Sequence, residues 1–139
     1  MFEKGDKDKI SEKVARDQLD ILMKYYDIEL DEFEDDQKKA VDQSIKKLIK
    51  AIRRGQLEIK NDDELKVTQH MKKGGEPILY NVLSGKNKTA MANKKDTDYH
   101  GRIYAMLGSQ SGLGETAIQS LTGSDLSVAE SLGILFLQA

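Results

Sequence analysis

Apolar residues recur at helical spacing in two segments near the start of the chain, 10–26 and 33–54. The acidic stretch 27–36 leads into the second segment, and Arg53 and Arg54 stand at its end. This order of charges is the one that a helix macrodipole favours. The sequence therefore predicts a pair of helices. Their predicted core-facing residues are Ile10, Val14, Leu19, Leu22 and Tyr26 in the first helix, and Val41, Ile45, Leu48, Ile49 and Ile52 in the second.

An alternating pattern follows the second helix. Residues 56–60 and 65–71 place apolar and polar side chains in turn, and the four residues NDDE between them have the composition of a turn. The pattern predicts a β-hairpin, and residues 78–83 could add a third strand. We expect a small antiparallel sheet over 56–83.

The remainder of the chain returns to helical spacing. Residues 84–96 form a polar stretch, and its first part, 84–89, is predicted to be a mobile basic loop. A helix with Thr97 or Asp98 as its cap should follow. We then expect a short helix over 115–121 and a last helix over 127–137, although Ser124 could start the last one a turn earlier.

These elements predict an α+β fold. Residues 1–9 are polar and are predicted to be disordered. Residues 10–139 are predicted to form one domain made of a helical pair (10–54), a small sheet (56–83) and a helical C-terminal half (97–137).

Composition narrows the possible classes of protein. The chain has 139 residues, no cysteine, and 22 Lys and Arg against 24 Asp and Glu, for a net charge of −2. The absence of cysteine excludes disulfides and thiolate metal sites. The charged start does not resemble a signal peptide, and the apolar end is shorter than the roughly 20 residues that span a bilayer. We therefore expect a soluble cytoplasmic protein without membrane contact.

The sequence contains only weak matches to cofactor-binding, phosphate-binding and metal-binding motifs. The stretch GLGETA (112–117) fits a dinucleotide pattern but follows a predicted helix instead of the strand that this motif requires. The stretch SGKNKT (84–89) resembles a phosphate-binding loop, but Tyr80 stands where its first glycine belongs. His70 and His100 are not spaced as metal ligands. The sequence therefore predicts no enzyme, no cofactor and no metal site.

A basic stripe runs along the second helix. Lys39, Lys46, Lys50 and Arg53 share one face, opposite the apolar one. The stripe is either a docking surface for phosphate or an acidic protein, or a solvated outer face whose charge the acidic segment offsets.

The chain ends on an apolar run. Leu132, Leu135 and Phe136 share one helical face, which we expect to insert between the helix at 99–108 and the hairpin. Ile134 and Leu137 lie off that face, and one inward stripe cannot easily bury both sets. We therefore expect these two side chains to contribute to a surface for a partner or for self-association.

The order of elements, with the segment RIYAMLGSQSGL…AIQSLTGSDLSVAESLGILFL (102–137), resembles the small tail assembly chaperones of bacteriophages and prophages. In those proteins a β-hairpin precedes a helical half that ends in an apolar helix. The resemblance covers roughly residues 56–137. The matching positions are Leu121, Gly123, Asp125, Leu132 and Phe136.

The resemblance implies a non-enzymatic protein of the host cytoplasm that is absent from the mature virion. Such chaperones bind the tape-measure protein and help to bring tail-tube subunits to it. That role needs adaptable apolar contact surface, for which Ile134, Leu137 and Met106 are the candidates. Two alternatives stay open: a head–tail connecting or nucleic-acid-associated phage protein that uses the basic stripe, and another protein-interaction module.

We expect no useful affinity for duplex or single-stranded DNA near physiological salt. The net charge is −2, and a stripe of four cations offers few phosphate contacts for counterion release. An electrophoretic mobility-shift assay checks this. Tight binding that weakens steeply with added salt would favour the nucleic-acid-associated alternative.

Overall fold

The computed structural model describes residues 9–139, which form six α-helices and one three-stranded sheet. The predicted disordered N-terminus, 1–9, lies outside the described residues except for Lys9, whose amide donates to the carbonyl of Arg53 at 2.6 Å. The α+β class is confirmed. The helices are α1 Glu12–Tyr25, α2 Asp35–Arg53, α3 Gly85–Ala92, α4 Tyr99–Ser111, α5 Glu115–Gln119 and α6 Gly123–Phe136, and the strands are β1 Leu57–Asn61, β2 Leu65–Gln69 and β3 Ile78–Tyr80.

The helical pair α1 and α2 forms where the sequence predicts it. The Ser11 hydroxyl accepts a hydrogen bond from the Val14 amide and caps α1. The buried face of α1 is centred on Ala15, with Leu19 and Leu22 beside it. Val14 is 46% exposed, so its predicted place in the core is wrong. At about 100° per residue it lies a quarter-turn away from that face.

The hairpin and the third strand are confirmed. The sheet order is β1-β2-β3, all antiparallel, with Ile59 opposite Val67 and Val67 opposite Tyr80. All three of these side chains are buried. The outer edge of β1 is partly closed by α1, because the Ile59 amide donates to Oε1 of Gln18 at 3.1 Å.

Residues 84–89, predicted to be a mobile basic loop, instead form the start of the helix α3. Ser84 and Asn87 form a capping box at its start. Asn87 is buried, and its Nδ2 donates to Oγ of Ser109 on α4 at 2.8 Å. The helix has almost no apolar face of its own, so it depends on packing against α4. The local sequence of α3 does not indicate this packing.

The last helix, α6, begins at Gly123 and is largely buried. Leu132, Leu135 and Phe136 are at most 1% exposed, so their predicted inward face is confirmed. The helix packs chiefly against α2 and then against α4. The expected insertion between α4 and the hairpin is therefore only partly right, because α2 takes most of the place assigned to the hairpin.

The backbone of α6 closely approaches α4. A Cβ atom at Gly133 would overlap the side chain of Ile103, so only glycine fits at this crossing without movement. At the end of the helix, the ring of Phe136 packs edge-on against the ring of Tyr26, with 5.8 Å between the ring centroids. The centroid of the Tyr80 ring on β3 lies 6.4 Å from that of Phe136. Phe136 thereby joins the helical pair, the sheet and the last helix.

Buried polar groups tie the sheet to the start of α6. Nε2 of Gln69 donates to the carbonyl oxygen of Asp125 at 2.8 Å, and Oε1 of Gln69 accepts from the Tyr80 hydroxyl at 2.8 Å. The Asp125 carboxylate accepts from the Lys72 amide at 2.8 Å. Because these groups are buried, each needs its partner, and together they fix the loop after β2 against the last helix.

We expect Phe136→Ala to lower the free energy of unfolding by about 3–5 kcal/mol, because it leaves a cavity between α6, Tyr26 and Tyr80. Leu137→Ala is the control, since that neighbouring side chain is only partly buried and should cost clearly less. Urea denaturation followed by circular dichroism measures both. Equal losses from the two variants would contradict the placement of Phe136 in the core.

Candidate functional site

A small groove runs between α2, α4 and α6, and it holds one of the predicted partner-binding residues. Ile134 is half-buried and lines the groove together with the buried side chain of Ile103. Tyr99, at its edge, is 47% exposed. The groove encloses about 120 Å³. The residues that define this helical groove include Ala40, Ser44, Tyr99, Ile103, Glu130 and Ile134.

A polar cluster borders the helical groove. The Tyr104 hydroxyl donates to Oε2 of Glu130 at 2.6 Å, and Nε2 of His100 lies 3.9 Å from the same oxygen. Burial, and then the neighbouring Glu130 carboxylate, raise the pKa of Tyr104 to about 12. The phenol therefore stays protonated across the physiological range and holds Glu130 in place as a hydrogen-bond donor.

A second depression, the basic cleft, lies between α1 and α2 and encloses about 370 Å³. Among the lining residues in the part of the chain from 9 onward, Glu12 is the one carboxylate, and its Oε2 lies 2.8 Å from Nη2 of Arg16. Nη1 of Arg53 lies 3.9 Å from the other oxygen of Glu12. The residues that define the basic cleft are Glu12, Arg16, Lys46, Ile49, Lys50, Arg53 and Arg54.

The structure brings together three of the four residues of the predicted basic stripe. Lys46, Lys50 and Arg53 line the basic cleft, whereas Lys39 does not. Arg16 and Arg54 also line the cleft, and the predicted stripe did not include them. The sequence contained no signal for Arg16, because only the packing of α1 on α2 places it there. Arg54 lay just past the predicted helical face.

The predicted partner-binding residues separate in the structure. Ile134 lines the helical groove, and Leu137 is half-buried with part of its side chain accessible. Met106 is fully buried, so its assignment to a contact surface is wrong. Met106 lies on the face of α4 that packs into the core. Because α4 has apolar residues on several faces, its sequence does not show which face turns inward.

The glycines of GLGETA have a structural explanation. Gly112 and Gly114 adopt positive φ angles of 74° and 93° in the turn between α4 and α5. A Cβ atom at Gly108 would overlap the backbone of Gly114. The stretch follows a helix, as predicted, and forms a tight turn that lets α5 fold back onto α4.

The two histidines lie in different places. His70 follows β2, with its Nε2 3.8 Å from Oε1 of Glu58, and His100 lies on α4 beside Glu130. Within residues 9–139, no group of three or more His, Asp or Glu side chains is arranged to hold a metal ion. None of the helices in this part of the chain is both long enough and apolar enough to cross a membrane.

No family model, no curated protein and no solved structure matches this chain.

We expect the stability of the fold to decline as the pH rises from about 10 to about 12, in part because of Tyr104. The phenol has an ordinary pKa of 10.0 and a folded-state pKa of about 12, so the unfolded chain loses its proton first. Between these values the unfolded state binds fewer protons, and stability falls with pH. Tyr104→Phe removes this titration and should show a shallower decline.

Urea denaturation at about pH 9 and about pH 11.5 measures the slope. The unmodified protein at the same two pH values is the reference. Burial also raises the pKa of Tyr80, Tyr26 and Tyr99, so a residual decline remains in the Tyr104 variant. Identical slopes for Tyr104→Phe and the unmodified protein would contradict the assignment to Tyr104.

Proposed function

We propose that the protein is a non-enzymatic tail assembly chaperone of a phage or prophage, which binds the tape-measure protein and tail-tube subunits during tail assembly. Two kinds of observation support the proposal. The first is the resemblance of residues 102–137 and of the order of elements before them. The second, which carries the proposal, is the helical groove beside Ile134.

The helical groove suits a protein partner better than a small ligand. Small-molecule sites usually enclose about 300–1,000 Å³, whereas this groove encloses about 120 Å³. That is room for one anchoring side chain of a partner. Its lining combines the apolar Ile103 and Ile134 and the exposed Tyr99 with polar and charged side chains, among them the buried Ser44 and Ser131. Protein interfaces commonly mix apolar contacts with hydrogen-bonding groups in this way.

An apolar anchor in this groove would allow the protein to cover an aggregation-prone segment without a deep pocket. The tape-measure protein is the proposed source of that anchor, and the half-exposed Leu137 at the end of α6 provides further apolar contact. In this proposal the protein acts in the host cytoplasm and leaves before the particle is complete.

The alternative of a head–tail connecting or nucleic-acid-associated phage protein is favoured by the basic cleft. There Lys46, Lys50 and Arg53 meet two further arginines. A third alternative is another protein-interaction module, which would use the same groove for an unrelated partner. Gene neighbourhood separates the three: a tail-tube gene before this one and a very long tape-measure gene after it favour the chaperone.

We expect Ala40→Arg, which fills the helical groove from the exposed surface of α2, to weaken binding of the co-encoded tape-measure protein about tenfold or more while the protein stays folded. Ile134→Ser should do the same with a modest loss of stability, because that side chain is half-buried. The measurement is calorimetric titration with soluble tape-measure segments and, separately, with the tail-tube protein.

The control is Leu79→Ser, which removes an apolar side chain that is 57% exposed on β3, away from the groove. It should leave binding unchanged. If all three variants bind as the unmodified protein does, the helical groove is not the docking site and the proposal loses its main support.

A further inference from the structure

The helix α2 carries opposite charges at its two ends. Its C-terminal end forms one wall of the basic cleft, whose described lining residues carry more cations than carboxylates. The partial negative charge at the C-terminus of α2 is only about half an elementary charge, so it offsets little of this excess positive charge. Within residues 9–139, Lys46 and Lys50 form no ion pair, and Nε of Arg54 is buried without a hydrogen-bond partner. The cleft therefore has unmet capacity for anions.

The other end of α2 is acidic, and its charged side chains are exposed, although Ile28, Leu30 and Phe33 of the same segment pack against the core. The segment 27–36 contains seven carboxylates and no cation, and all seven residues are exposed. We call it the acidic end. Every residue from 34 to 40 is exposed, so the first turn of α2 has no side packed against the core. The carboxylates of this end are Asp27, Glu29, Asp31, Glu32, Glu34, Asp35 and Asp36.

The carboxylates of the acidic end crowd one another. The pKa of Glu29 is raised, first by a hydrogen bond with the Glu32 side chain and then by the like charges of Glu32, Asp27 and Asp31. Among residues 9–139, none of the seven forms an ion pair. Cations brought to this end would therefore relieve repulsion as well as add attraction.

The acidic end and the basic cleft cannot meet within one molecule. They lie at opposite ends of the 19-residue helix α2, which is about 28 Å long at 1.5 Å per residue. That length is nearly three Debye lengths at about 0.1 M salt, so the charges at one end hardly affect those at the other. Each end remains available to another molecule.

We propose that the basic cleft of one copy binds the acidic end of a second copy, so that the protein associates head-to-tail along α2. The contact joins two different surfaces, so each copy added leaves one acidic end and one cleft free, and the association is open. The inference depends on charge at the ends of α2 and not on the proposed function.

A second copy fits the cleft better than a nucleic acid does. A polyanionic strand that followed α2 away from the cleft would run towards seven carboxylates, which repel phosphates. A second copy brings its exposed carboxylates on one short segment and needs no path along the helix. The near balance of the whole chain, with a net charge of −2, also keeps the general repulsion between copies small.

Sedimentation equilibrium over a concentration series tests the proposal. At about 0.02 M salt the weight-average mass of the unmodified protein should rise with concentration to at least twice the monomer mass, and at about 0.5 M salt it should return to the monomer. Lys46→Gln with Lys50→Gln should remain monomeric at low salt, and so should Glu32→Gln with Glu34→Gln. These four side chains are exposed, so the fold should survive, which melting curves check.

The matched control neutralises two lysines elsewhere. Lys66→Gln with Lys73→Gln changes the net charge by the same amount at two exposed positions outside the cleft, and should associate as the unmodified protein does. A mixture of the cleft variant and the acidic-end variant provides the decisive measurement. One intact cleft and one intact acidic end remain between the two, so the mixture should form a one-to-one dimer and nothing larger.

A monomeric unmodified protein at low salt would overturn the proposal. So would a cleft variant that associates as the control does, or a mixture that stays monomeric although its two components are folded. Association of the mixture beyond a dimer would show that surfaces other than these two hold the copies together.

Discussion

The burial of the last helix is the constraint on which the rest of the structure depends. The helix α6 is enclosed by α2 and α4, and its final turn brings Phe136 against Tyr26 from the helical pair and Tyr80 from the sheet. Burying side chains of this size is worth roughly 1.5–3 kcal/mol each. The N-terminal helices also contact β1 directly, and α6 extends this core to α4. The helix α6 is therefore a structural centre.

Buried polar contacts determine how the elements around α6 are arranged. Gln69 and Asp125 hold the loop after β2 to the start of the last helix. At the other edge of the sheet, the Asn81 side chain donates to the carbonyl of Gln110 at 2.8 Å, and Nε2 of Gln110 donates to the carbonyl of Asn81 at 3.1 Å. A buried polar group without its partner is costly, so such pairs admit one arrangement and penalise others.

The two surfaces proposed for function share α2 but differ in physics. The helical groove is small and lined by both apolar and polar side chains, and it would act through burial of a partner side chain. The basic cleft is charged and would act through electrostatic attraction that salt weakens. The two surfaces have no lining residue in common, so docking at one need not block the other. A protein with these two properties could associate with itself and still contact a partner.

The sequence alone determined the elements whose signal is local. The period of apolar residues predicted α1 and α2, and the alternation within 56–60 and 65–71 predicted the hairpin. The spacing of Leu132, Leu135 and Phe136 predicted the inward face of α6. Each depends on residues a few positions apart, whose geometry in a helix or strand is fixed.

Only the tertiary structure decided what depends on distant residues. The helix α3 exists through contacts with α4, Met106 is buried because of which face α4 turns inward, and the basic cleft forms where Arg16 of α1 meets α2. The helical groove likewise joins residues from 40 to 134. No local pattern encodes these meetings, because they depend on how whole elements pack, and local propensity is weak compared with the burial that packing brings.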